Sequence, residues 1–197
     1  MPYKTRRITP DDLMAPHEYS RVRAQRRQGL ESTKTLRRIQ VGPFITFYFE
    51  SFDTIWFQIQ EMLHIEGGGI AQVPGELEAY NPLIPKGHEF VATMMIEIDN
   101  AKRRERELNQ LGGIEKSVLL QIDNQVVPGI SENDVQRTKA SGRTSSVHFL
   151  RFPMTPSQSY QARNPNHTMI LEIKHDKYPH LTRIGDAERE ELCKDLD

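Results

Sequence analysis

The sequence predicts an α+β protein of one domain, a mostly antiparallel sheet with inserted helices and an N-terminal basic helical arm. Three observations carry that expectation. The spacing of apolar residues changes several times between the helical period and the strand period along the 197 residues. Two of the strand-like stretches contain short turn signals of the hairpin kind. The first 38 residues, by contrast, are helix-forming, basic and poor in apolar positions. The expected division is a helical arm over 1–38 and an α+β body over 39–197.

Taken in order, "ITPDDL" reads as a helix start, with Thr9 as N-cap, Pro10 at the first position and Asp12 at the third. Pro16 interrupts it, and "EYSRVRAQRRQGLESTKTL" continues as a longer helix. Its apolar residues Tyr19, Val22, Leu30 and Leu36 are sparse, as for a helix lying on a body rather than inside it. "IQVGPFITFYFE" is rich in β-branched and aromatic residues around Gly42-Pro43 and predicts a hairpin. A helix follows from about Asp53 to Glu66, with Phe52, Ile55, Trp56, Ile59, Met62 and Leu63 on one side and Gly67 to Gly69 ending it.

"PGELEAY" is a short helix stopped at Asn81-Pro82. "HEFVATMMIEID" is apolar on both faces, which predicts a central strand. A charged surface helix over "DNAKRRERELNQLGG" begins at Asp99 or Asn100 and closes at Gly112-Gly113. "SVLLQIDNQVVPGI" predicts a hairpin around Asp123-Asn124, and "SSVHFLRF", "HTMILEIKH" and the short "LTRI" are further strands. "DAEREELCKDL" closes the chain as a helix.

Composition excludes several classes. No apolar run approaches the ~20 residues of a membrane-spanning helix. No apolar stretch of the signal-peptide kind follows the basic "MPYKTRR". The single cysteine, Cys193, excludes an internal disulfide and Cys-based zinc patterns. A reducing cytoplasm is the expected compartment. The net charge of −1 hides an asymmetry: residues 1–38 hold ten Lys or Arg against four acids. A basic arm can serve nucleic acid or an acidic partner. No aromatics are interleaved for base stacking, so nucleic acid is not favoured. The commoner arrangement is a positive face lying on the acidic body of the same molecule.

Chemistry-bearing residues are few. Glu61 and His64 are three apart on a helix, about 60° apart around its axis, so both could reach one ion. They lie opposite the apolar stripe together with Phe57, a residue out of place on a solvated face. An exposed polar pair is the ordinary explanation. A ferritin-like di-iron bundle is excluded, because it needs two Glu-x-x-His motifs on four long helices. Three more residues extend the metal hypothesis to iron, manganese or zinc. Glu97 falls mid-strand on an apolar face, Glu50 ends an aromatic strand, and His148 lies between Val147 and Phe149. A buried carboxylate is more often paired with an arginine, and Arg143 and Arg151 are nearby in sequence. Trp56 and Tyr80 are candidate lining for a cofactor pocket near the Glu61 helix. "GGG" at 67–69 lacks phosphate-loop and dinucleotide spacing. Ser145, Ser146 and His148 form no nucleophile elbow. His175, Tyr178 and His180 flank a proline loop that reads as surface.

Four separated blocks, "FYFESFDTIWFQIQEMLHIEGGG", "ELEAYNPLIPKGHEFVATMMIEID", "LGGIE" and "GRTSSVHFLRFP", together resemble a bacterial family of domains of unknown function, family 3501. The likeness runs from about Ile8 to the C-terminus and includes "ITPDDLMAPHEYSRVRAQRR". It assigns no role to any residue. It implies a context, since genes of this type often neighbour rubrerythrin-like and iron-sulfur or flavin oxidoreductase genes. The resulting expectation is an accessory of an oxidative-stress or iron-linked redox system, with a metal or cofactor pocket. The alternative is a non-catalytic module docking an oxidoreductase partner through its basic arm. A third is a hydrolase using the carboxylates and His148. The metal reading needs Glu61, His64 and a strand carboxylate within about 5 Å of one another.

Overall fold

A computed structural model describes residues 5–131 and 142–197. Among them are six α-helices and nine strands, with every strand pairing antiparallel. The α+β expectation is met, with one refinement: the strands divide between two sheets. The first has five strands in the order β1 (Arg38–Val41), β2 (Ile45–Phe49), β3 (Glu89–Ile96), β7 (Val147–Pro153) and β6 (Ile130–Ser131). The second has four, in the order β5 (Gln125–Pro128), β4 (Val118–Ile122), β8 (Met169–His175) and β9 (Tyr178–Arg183).

Strand periodicity explains how the two sheets pack. Alternate residues point to opposite faces, so Phe90, Ala92, Met94 and Ile96 of β3 share one face with their β7 neighbours Leu150 and Phe152. These residues share a single core cluster with Val118, Leu120, Ile122, Leu171 and Ile173 of the second sheet. The two sheets therefore pack face to face. One corner is closed by Tyr178, whose hydroxyl donates to the Val41 carbonyl at 2.9 Å and accepts from the Phe44 N–H at 3.1 Å. Gly42, in the β1–β2 turn, has φ +70°, and a Cβ there would lie 2.6 Å from Tyr178 Oη. Only glycine serves at that turn. The 175–180 segment is thus a β8–β9 hairpin with Tyr178 in the core, not the surface loop that Pro179 suggested.

The opposite face of the five-stranded sheet carries the first helices, whereas Leu108, Ala162 and Leu192 of the later ones join the core between the sheets. α2 (Phe52–Glu66) starts with a reciprocal cap: Thr54 N–H donates to Ser51 Oγ, and Ser51 N–H donates to Thr54 Oγ1. It ends at Gly67, φ +66°, whose N–H returns to the Leu63 carbonyl. Its Ile55 and Ile59 are buried in a second cluster with Val91, Leu83, Ile84 and Ile8. Each of these isoleucines stabilises that docking by roughly 1.5–3 kcal/mol. α1 (Pro16–Leu36) lies across the outer side of α2. Immediately after it, the Arg37 guanidinium, 3% exposed, donates to Glu191 and Asp195 and to the Glu50 carbonyl. Those bonds tie the end of α1 to α6 (Asp186–Leu192) and the residues after it. α3 (Val73–Tyr80), α4 (Ala101–Gln110) and α5 (Pro156–Arg163) complete the chain. As expected, Asn100 caps α4, accepting from the Arg103 N–H.

Candidate functional site

The five candidate metal ligands occupy separate settings. Glu61 faces α1, where one oxygen accepts from Tyr19 Oη and Arg23 Nε, both at 2.7 Å. The other accepts from Arg23 Nη2 at 2.8 Å and Arg27 Nη2 at 3.2 Å. The Arg23 guanidinium holds the Glu61 carboxyl at about 2, well below its ordinary 4.5, with Tyr19 and Arg27 adding to the effect. Burial and the same carboxylate push the Tyr19 hydroxyl well above its ordinary value. Glu61 is therefore neither an exposed polar residue nor an open ligand; it is the anchor on which the arm helix is seated. His64 lies one turn on, its Nδ1 3.4 Å from Ser20 Oγ.

Glu97 is not mid-strand. It sits just past the end of β3, exposed, accepting from Thr46 Oγ1 at 2.6 Å and Tyr48 Oη at 2.7 Å. His148 is fully buried between the sheets, its Nε2 3.0 Å from both Thr144 Oγ1 and the Ser145 carbonyl. Arg151 pairs with Glu89 at 2.7 Å. Among the described residues, no three His, Cys, Asp or Glu side chains gather as a metal site would require. Cys193 is half-buried, and burial pushes its thiol up to about 11, which leaves it a poor nucleophile.

Glu50 is the exception, because it borders open space. A cavity of about 650 Å³ lies between the C-terminal half of α1, the first turns of α2 and the outer face of the five-stranded sheet. Its apolar wall comes from Ile55, Tyr80, Leu83, Met95, Val147 and Phe149. Short side chains at Thr54, Thr93 and Val147 occur where larger ones would fill the space. Glu50 stands in the inner wall. Its Oε2 accepts from Thr54 Oγ1 and its Oε1 from Thr93 Oγ1, both at 2.8 Å, and Lys34 and Arg37 favour its charge from a distance without bonding its oxygens. Burial raises its carboxyl above the ordinary range despite those bonds.

The rim is cationic. Lys34, solvent-accessible, places its ammonium 4.5 Å from the Phe57 ring centre, and partial burial pulls its pKa below the ordinary value. Arg38 lies over Tyr48 at 5.5 Å and 3.7 Å from Glu97, with both members of that pair well exposed. Arg27 also lines the opening, and Glu31 is the acid beside them. Of the two expected lining aromatics, Tyr80 is in the wall. Trp56 lies elsewhere, donating its indole N–H to the Asp12 carbonyl at 2.8 Å beneath Arg26.

The sequence singled out Glu50 as a metal ligand and Tyr80 as pocket lining, and both border this cavity; it did not single out Lys34, Thr93 or Phe149. The available signal was Thr93, a hydroxyl in the outward register of an otherwise apolar strand.

Part of the arm's charge is met within the molecule. Arg6 pairs with Asp197, Arg23 and Arg27 with Glu61, and Arg37 with Glu191 and Asp195. Among the described residues, no helix is long and apolar enough to cross a membrane.

Among curated proteins, none matches this chain. A solved structure, the crystal structure at 1.90 Å of a novel protein of unknown function from Burkholderia pseudomallei K96243, is 34% identical to it. The TM-score is 0.88, with 96% of this chain and 99% of that one covered. The family described as "Protein of unknown function (DUF3501)" matches residues 7–196. On that match and that identity, the chain belongs to the DUF3501 family.

Proposed function

We propose that this protein binds a small organic molecule in the cavity between α1, α2 and the five-stranded sheet. One observation carries the reading: a concavity of about 650 Å³ with an apolar wall and a half-buried carboxylate, Glu50, that accepts from two threonine hydroxyls. Ligand sites are of this size, mostly apolar, with a few convergent polar groups and a perturbed titratable residue. The accessory role in an oxidative-stress or iron-linked redox system, expected from the family resemblance, enters as the setting in which such a ligand would be met.

A neutral apolar fluorophore, N-phenyl-1-naphthylamine, tests the reading, because its emission rises on leaving water. The folded protein brightens it saturably, and Gln58→Trp and Met95→Trp, which put an indole into the cavity, abolish the effect while their melting curves stay cooperative. Equal brightening by wild type and both variants would place the dye elsewhere and remove the proposal.

A further inference from the structure

The polar groups around the cavity are unevenly distributed, and that distribution defines a ligand class. Three cationic side chains, Arg27, Lys34 and Arg38, stand at the opening beside one acid, Glu31. Arg27 has one nitrogen on Glu61 and is two-thirds exposed. The Arg38–Glu97 pair is long and exposed, so it holds Arg38 weakly. Lys34 lies over the Phe57 ring, with the Glu50 and Glu61 carboxylates near enough to favour its charge. Arg37 also lines the space, but its donors are committed to Glu191, Asp195 and the Glu50 carbonyl. It contributes field without a hydrogen bond to offer. The rim is thus built to attract an anion and repel a cation.

The inner wall has the opposite chemistry. A carboxylate offers about four acceptor positions, and Thr54 and Thr93 fill two of those on Glu50. The remainder suit an incoming O–H or N–H, and whether ionised or protonated the group retains acceptor capacity. Between rim and inner wall the surface is apolar: Met95, Phe149, Tyr80 and Leu83.

Resting on the cavity being a ligand site, we propose that it takes an amphipathic organic acid. The ligand's anionic head sits at Lys34, Arg38 and Arg27, its apolar body lies on Met95, Phe149, Tyr80 and Leu83, and a hydroxyl or N–H at its far end donates to Glu50.

Competition against N-phenyl-1-naphthylamine separates the classes, using decanoate, 10-hydroxydecanoate, decan-1-ol and decylamine on the full chain. The hydroxy acid displaces the dye at a concentration about tenfold or more below decanoate, the factor expected for one buried hydrogen bond to a charged acceptor. Decanol and decylamine are weaker than either acid. Lys34→Ala with Arg38→Ala weakens both acids by a similar factor, and by more than it weakens decanol. The hydroxyl preference falls in the order wild type, Glu50→Gln, Glu50→Leu; should the leucine variant not fold, the glutamine variant still reads the trend. Preference for decylamine, no gain from the hydroxyl, or failure of both acids to displace a bound dye overturns the ligand class while the cavity stands. Failure of the dye itself to bind removes the cavity reading instead.

Discussion

Replacing Glu61 by glutamine keeps the side-chain volume and removes only the charge on which α1 is seated. The carboxylate is 9% exposed and accepts four hydrogen bonds from Tyr19, Arg23 and Arg27. Its displacement from 4.5 to about 2 corresponds to roughly 3 kcal/mol at ~1.4 kcal/mol per pH unit. Arg23 is a third exposed and Arg27 two-thirds, so solvent screening reduces this to about 2 kcal/mol. At about 2–4 °C per kcal/mol for a chain of this size, Glu61→Gln melts roughly 4–8 °C below wild type at pH 7. The pH dependence has a definite sign. The folded pKa is depressed, so the contribution is present above about 4.5 and is lost as the pH falls toward about 2. By pH 3 the gap between variant and wild type shrinks to roughly half or less. Thermal and urea melts at pH 7 and pH 3, with and without EDTA, provide the assay. Equal stability at pH 7, a gap that fails to narrow, or a wild type destabilised by EDTA would each refute an arginine-seated Glu61.

Other positions give sharper or opposite effects. Arg37→Met leaves Asp195 buried without its cation and Glu191 with Lys194 alone, and costs about 3–5 kcal/mol, with little rescue by Arg37→Lys, which cannot supply the forked donors; denaturant melts read both. Gly42→Ala puts a Cβ against Tyr178 Oη and His180 at positive φ, and destabilises by more than ~1 kcal/mol in the same melts. Glu50→Gln behaves in reverse to Glu61→Gln. Burial raises the Glu50 carboxyl, so its cost to folding is absent below the ordinary carboxylate range and grows as the pH rises. The variant therefore equals or exceeds wild-type stability at pH 8 while losing ligand selectivity.

What was legible in the chain was local. The β1–β2 hairpin followed from Gly42-Pro43, and α2 from its apolar stripe and terminal glycines. The central place of β3 followed from its two apolar faces, because each of these is written within a dozen residues. Phe57, beside Glu61 on the polar side of α2, was the trace of a covering helix, but a helical wheel does not say which element covers a face. The expected strand ran to Asp99, past its observed end at Ile96, enough to turn Glu97 from a mid-strand carboxylate into an exposed residue bonded to Thr46 and Tyr48. The 175–180 hairpin was hidden because its turn, Asp176-Lys177, lacks the glycine that marks such turns. The cavity was legible only as Tyr80 beside the Glu61 helix, not in its place or shape. It exists where α1, α2 and the sheet fail to meet, and its lining comes from segments more than a hundred residues apart in sequence.

The most direct test of the central claim is a crystal structure of the protein grown with 10-hydroxydecanoate. The account predicts the acid lying between α1, α2 and the five-stranded sheet, its carboxylate at Lys34 and Arg38 and its hydroxyl within hydrogen-bond distance of Glu50. An empty cavity at saturating ligand, or the acid bound elsewhere on the molecule, would contradict it.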